Sequence, residues 1–102
     1  ARDLAFLRRM RSGHRIHVNC LRLGPARVLY LPGELFVEYQ LAAQQMRPDD
    51  FVAVAAYGDY GPGYIGTEVA YSQGGYETGP VSRTAPQVEK VLTEAIRGLL
   101  KD

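Results

Sequence analysis

Phe51 to Glu77 reads FVAVAAYGDYGPGYIGTEVAYSQGGYE, and the contrast between its two parts decides the fold. The first six residues, Phe51 to Ala56, are an unbroken apolar run of strand length. That is the pattern of a strand covered on both faces in a sheet flanked by helices. From Tyr57 to Glu77 the chain holds five of its seven tyrosines and six of its 11 glycines, so this stretch is more than a connection. Glycine lets backbone turn tightly or approach another group, and tyrosine brings an apolar ring with a polar tip. The stretch therefore reads as one wall of a site, with Pro32-Gly33-Glu34 as the second wall. Within it, Thr67 is placed to cap a short helix running to Gln73, which Gly74-Gly75 would end.

The flanking segments supply the rest of an α/β fold. Ala1 to Ser12 carries Leu4, Leu7 and Met10 at helical spacing, and Gly13 is placed to end the helix. His14 to Leu23 alternates as a strand, with a phase slip at Leu21 and Leu23 that a bulge or burial of both faces explains. Gly24-Pro25 is a turn signal and Ala26 to Leu31 a second strand, which predicts a hairpin. Pro32-Gly33 breaks that strand. Glu34 to Arg47 then favours a helix, with Leu35, Tyr39, Ala42, Ala43 and Met46 near one face and Pro48-Asp49-Asp50 closing it. The last helix opens on a capping box of Thr84 and Gln87, tolerates Pro86 in its first turn, and carries a stripe of Val88, Val91, Leu92, Ala95, Ile96 and Leu99. The expected class is α/β (α+β), a small mixed sheet of about three strands with helices packed on it, in the order α-β-β-α-β-α-α.

At 102 residues the chain makes one domain, or the C-terminal fragment of a larger one. Burial of roughly two thirds of the unfolded surface supports a core without metal or disulfide staples. An apolar fraction of 46% and a charged fraction of 23% exclude a disordered chain. Net charge is +1, which gives no reason to expect nucleic acid. Arg2, Arg8, Arg9, Arg11, Arg15, Arg22 and Arg27 concentrate the basic residues early, and they read as a solvated face. The single cysteine, Cys20, excludes an intrachain disulfide and sits in an apolar alternation, which favours a buried thiol. No apolar run is long enough to span a membrane, and no signal-peptide pattern opens the chain. A start at Ala1 within a helical pattern suggests a piece of something longer.

Most familiar chemistries are excluded by spacing. On a strand, His14 and His17 point to opposite faces, so surface histidines are preferred to a metal pair. Gly61-Pro62-Gly63-Tyr64 fits neither the dinucleotide fingerprint nor the nucleotide P-loop, and there is no nucleophile elbow. Asp49, Asp50 and Asp59 lack the spacing of a calcium loop. Glu34 has two readings: a first-turn glutamate that complements a helix dipole, or a carboxylate held at a strand end beside a glycine that admits a ligand. Glu38, one turn on, reads as solvated. The tyrosines are most simply core and interface residues, although a rigidly held phenol also ligates a metal or hydrogen-bonds an oxyanion.

Two segments together carry a resemblance. Leu31 to Tyr39, LPGELFVEY, and later GYIGTEVAYSQGGYE, with an apolar strand between them, resemble the neutral/alkaline ceramidase family, and more closely its bacterial ceramidase-like proteins. The resemblance spans Leu31 to Glu77, and the closing amphipathic helix is compatible with it. It implies a zinc-dependent amidase that cleaves the N-acyl bond of ceramide, a lipid amide, to a fatty acid and sphingosine. In that family two histidines from earlier in the domain, a glutamate in the P-G-E segment and a later tyrosine hold the zinc. The last two match Glu34 and Tyr64. The G-G-Y-E tyrosine, near the metal in the family, matches Tyr76 and would hold the oxyanion or orient the substrate.

The chain departs from the family pattern in two respects. The family histidines precede P-G-E by a long way, and His14 and His17 lie in the wrong segment to replace them. Gly61-Pro62-Gly63 also differs from the loops expected before that tyrosine. The resemblance thus implies the last part of a catalytic domain, inactive alone, with the N-terminal remainder or another copy of the chain as partner. Family members are often secreted or membrane-associated. Two alternatives stand beside it: a non-catalytic α/β interaction or oligomerisation module, and a zinc hydrolase acting on another N-acyl or ester substrate.

Overall fold

Gly24, at φ +58°, turns the chain between two strands that pair as the hairpin predicted. The structure is a computed structural model and describes residues 8–13, 15–58, 63–79, 82 and 84–101. Residues 8–11 are helical; the earlier part of the expected first helix, and His14, lie outside the described residues. The elements that follow are β1 (Asn19–Leu23), β2 (Ala26–Pro32), β3 (Glu34–Leu35), α1 (Val37–Met46), β4 (Phe51–Gly58), β5 (Tyr64–Ile65), α2 (Glu68–Gln73), a 3-10 turn (Tyr76–Thr78) and α3 (Val88–Leu99). The fold is α/β, with a mixed three-stranded sheet in the order β1-β2-β4 and helices packed on it. β1 runs antiparallel to β2, and β4 runs parallel to β2.

One face of that sheet makes the core. Leu29 and Leu31 of β2 and Val52 of β4 are buried with Tyr39 and Ala43 of α1, Leu92 and Ile96 of α3, Leu100 and Ile65. Cys20 is half-buried against this cluster rather than fully enclosed. Within the expected stripe of α3, Leu92 and Ile96 are buried and Val88 and Leu99 pack partly, but Val91 faces solvent. The capping box does not form: α3 begins at Val88 with no side-chain cap, and the Thr84 hydroxyl bonds Tyr71 instead.

Among the described residues the opposite face is open. Leu21, Leu23 and Tyr30 are exposed, and Phe51 is 68% exposed, all on the side away from Leu29 and Leu31. The expectation that β4 is covered on both faces therefore fails among the described residues, because α1 and α3 lie on the same side. Arg27 is not part of a solvated basic face either. It is buried, pairs with Asp50 at 3.3 Å and donates to the Leu100 carbonyl at 3.0 Å. Arg47 joins the same carboxylate at 2.7 Å. These guanidinium groups meet the negative end of the α3 dipole and anchor the helix to the sheet.

Candidate functional site

The chain after β2 does not enter a helix at Glu34. The Glu34 amide donates to the Gly63 carbonyl at 2.9 Å and the Phe36 amide to the Ile65 carbonyl at 3.0 Å. This short parallel ladder, β3 with β5, takes the donors that a helical first turn would leave free, and α1 starts only at Val37. Gly33 and Gly63, at φ +65° and +78°, precede its two strands in the left-handed conformation that glycine adopts without a Cβ penalty. The dipole-capping reading of Glu34 is thereby replaced by that of a carboxylate at a strand end.

The ladder sets Glu34 directly against Tyr64. The Glu34 charge beside the Tyr64 phenol raises its pKa above the ordinary value, helped by desolvation, by hydrogen bonding to the same carboxylate, and more weakly by Tyr76 and Glu77. Tyr76 stands edge-on to Tyr64, with ring centroids 6.1 Å apart and planes at 74°. It sits on the 3-10 turn after Gly74 and Gly75 and is largely exposed. All three site residues expected from sequence thus meet at one corner. His17 is exposed and precedes β1, outside any metal-binding group among the described residues.

A fourth residue at the corner was not foreseen. Tyr57, at the end of β4, donates its hydroxyl to Glu34 Oε1 at 3.0 Å, and its amide donates to the Gly33 carbonyl at 2.8 Å. The bond to Glu34, and then its charge, raise the Tyr57 phenol pKa. No periodicity singles Tyr57 out; the one signal is a tyrosine ending an apolar strand just before a glycine. Behind the corner, Ser82 Oγ donates to the Tyr64 carbonyl at 2.7 Å and meets the Tyr71 hydroxyl at 3.0 Å, and Thr84 closes the cluster.

The corner lies where β2 and β4 end, the side of parallel strands on which open α/β sheets bind ligands. A concavity of about 700 Å³ lies elsewhere, lined by Glu68, Val69, Tyr71, Ser72, Pro86 and Glu89. None of the corner's functional groups borders it, so the donor chemistry and not the hollow identifies the site. As a zinc site the fit is partial. Glu34 and Tyr64 offer two oxygen donors, whereas zinc in proteins takes four ligands, commonly with nitrogen or sulfur among them. Among the described residues no group of three or more histidine, cysteine, aspartate or glutamate side chains could hold a metal. Compared with protein-family models, curated proteins and solved structures, the chain matches none. Among the described residues, no helix is long and apolar enough to cross a membrane.

Proposed function

We propose that this chain is the C-terminal portion of a zinc-dependent amidase resembling neutral ceramidase, contributing half of the metal shell and one wall of the site. The observation that carries this reading is the register of Glu34 against Tyr64, with Tyr76 packed on the latter. A carboxylate among phenols, with no cationic partner among the described residues, is an arrangement that a metal cation would complete. Glu34 and Tyr64 would be ligands, and the two remaining donors would come from outside this chain. The chemistry a bound zinc supplies is Lewis acidity, which polarises an amide carbonyl and acidifies water toward neutral pH. Tyr76 would orient the lipid amide or donate to its oxyanion. In the full-length protein, Glu34→Ala and Tyr64→Phe should each lose zinc and amidase activity on N-acylsphingosine. Full zinc occupancy in both variants rejects the ligand assignment. Activity confined to other N-acyl or ester substrates keeps zinc hydrolysis and rejects the ceramidase-like specificity.

The open sheet face supports a second reading, a module that assembles with a partner and has no chemistry of its own. Leu21, Leu23, Tyr30 and Phe51 leave an apolar surface beside parallel strands, which are normally covered on both faces. Both readings call for a cover, from the N-terminal remainder in one and from another copy in the other. Phe51→Ser separates them by sedimentation of this chain: loss of a dimer supports the module, and a monomer before and after supports the catalytic portion.

A further inference from the structure

Among the described residues β4 ends the three-stranded sheet, and its outer edge lacks the usual guards. Leu23 and Ala26 close a two-residue turn, so the backbone groups of Ala26 bond β1. Strand alternation then turns those of Arg27 and Leu29 toward β4, and those of Ala53 and Ala55 toward β2. The backbone groups of Val52 and Val54 point away from the sheet. Consistent with this, Gln44 of α1 donates to the Val52 carbonyl at 3.3 Å, across a groove of about 360 Å³ beside Phe51 to Val54. Edge strands are commonly guarded by charge, proline or a bulge. β1, the other edge, carries Arg22. Phe51 to Ala55 has neither charge nor proline, and its register with β2 slips only beyond Ala55. Val37, Leu41 and Gln44 share one face of α1 at i, i+4 and i+7, so the side that Gln44 turns to the groove also carries apolar Val37 and Leu41, 62% and 50% exposed.

We propose that two copies of the chain pair along this edge, β4 lying antiparallel against β4 of the second copy about a twofold axis at Ala53. In that register Val52 of each copy stands opposite Val54 of the other, and each such pair exchanges both backbone bonds. A carbonyl has two lone pairs, so Val52 keeps its bond from Gln44. Ala53 meets its own copy in the closer, non-hydrogen-bonded pair, where a small side chain fits. What selects a second copy over a lone extended peptide is α1. A twofold axis normal to the sheet keeps both α1 helices on one side, so Val37 and Leu41 face their counterparts. A single added strand would leave them in water. A self-matched interface also sets each charge near the axis against its own copy, and Val37, Gln40, Leu41, Gln44 and Val52 to Ala55 are all uncharged. The pairing does not depend on a metal at the corner, and it uses the edge of the sheet rather than its open face.

Sedimentation of the chain over a range of concentrations, with amide exchange followed by NMR, tests the pairing. A dimer is expected in which the Val54 amide exchanges slowly. Dilution to monomer should free that amide while Leu29, bonded within the sheet, stays protected. Leu41→Lys sets like charges against each other across the axis and should raise the dimer dissociation constant by more than about tenfold, with the circular dichroism unchanged. Leu23→Lys, on the open face at the far strand, should leave the dimer intact. A chain that stays monomeric, or a Val54 amide that exchanges equally fast in dimer and monomer, would overturn the edge pairing. So would a dimer broken by Leu23→Lys and untouched by Leu41→Lys.

Discussion

Two polar clusters lie near opposite ends of β2, and they are finished differently. At its start, Arg27 is buried, with its charge met by Asp50 and one of its donors by the Leu100 carbonyl. Just past its end, Glu34 has only phenols for company, and among the described residues it forms no ion pair. A buried charge used for stability has to be matched within the fold, because an unmatched one costs several kcal/mol. A half-exposed carboxylate can be left unmatched at little cost, and that leaves it available to a ligand. Among the described residues the first cluster is matched charge against charge, and in the second the carboxylate meets a phenol.

Removing Arg27 is the harshest way to break the comparison. Arg27→Ala should cost about 3 kcal/mol, the low end for breaking a buried pair because Asp50 keeps Arg47. Urea denaturation of the variant measures it. On the proposed zinc reading, zinc affinity of the full-length protein should stay unchanged, whereas Glu34→Ala should reverse the pattern, losing zinc with little change in the urea midpoint. Equal stability losses from the two would mean that Glu34 is a structural charge after all.

Tyr39 tests the same division through pH. Buried on the core side of α1, it donates to the Gly66 carbonyl at 2.7 Å, and burial raises its phenol well above the ordinary tyrosine value. The folded state therefore keeps this proton when the unfolded chain has lost it. The stabilisation is fully present below about pH 10 and is lost as pH rises from there through the raised value, at about 1.4 kcal/mol per unit. Tyr39→Phe should cost about 1 kcal/mol at neutral pH for the lost hydrogen bond and should remove that part of the alkaline slope. An unchanged slope above about pH 10 would assign the alkaline loss to other groups.

The sequence made the core legible where one pattern repeats. Leu92 and Ile96, and Tyr39 with Ala43, follow helical spacing and are buried as that spacing requires. It failed where a distant partner takes over a local preference. Glu34 reads as a helical first turn until Gly63 and Ile65 accept the amides around it. Thr84 reads as a cap until Tyr71 claims its hydroxyl. The register of Glu34 against Tyr64 and the packing of Tyr76 on Tyr64 join three separate segments, which spacing alone does not do. The bond from Tyr57 to Glu34 is not legible because it comes with a left-handed backbone at Tyr57, which only glycine advertises in a sequence.

The smallest expected effect concerns the support behind the corner. Ser82 gives its one proton to the Tyr64 carbonyl, so toward Tyr71 and Thr84 it can only accept. Ser82→Ala removes a bond to the backbone of a candidate ligand without touching that ligand's phenol. Tyr64 is only half-buried, so water can replace the donor, and the stability cost should stay near 0.5–1 kcal/mol, about that of one ordinary hydrogen bond. The β3–β5 ladder holds Tyr64 in register independently, through the amides of Glu34 and Phe36. On the proposed zinc reading, zinc affinity should therefore fall by less than about threefold, well short of the 10- to 100-fold expected when a ligand's direct partner is removed. A loss in Ser82→Ala as large as that in Glu34→Ala would show that the hydroxyl cluster, and not the short ladder, sets the position of the Tyr64 phenol.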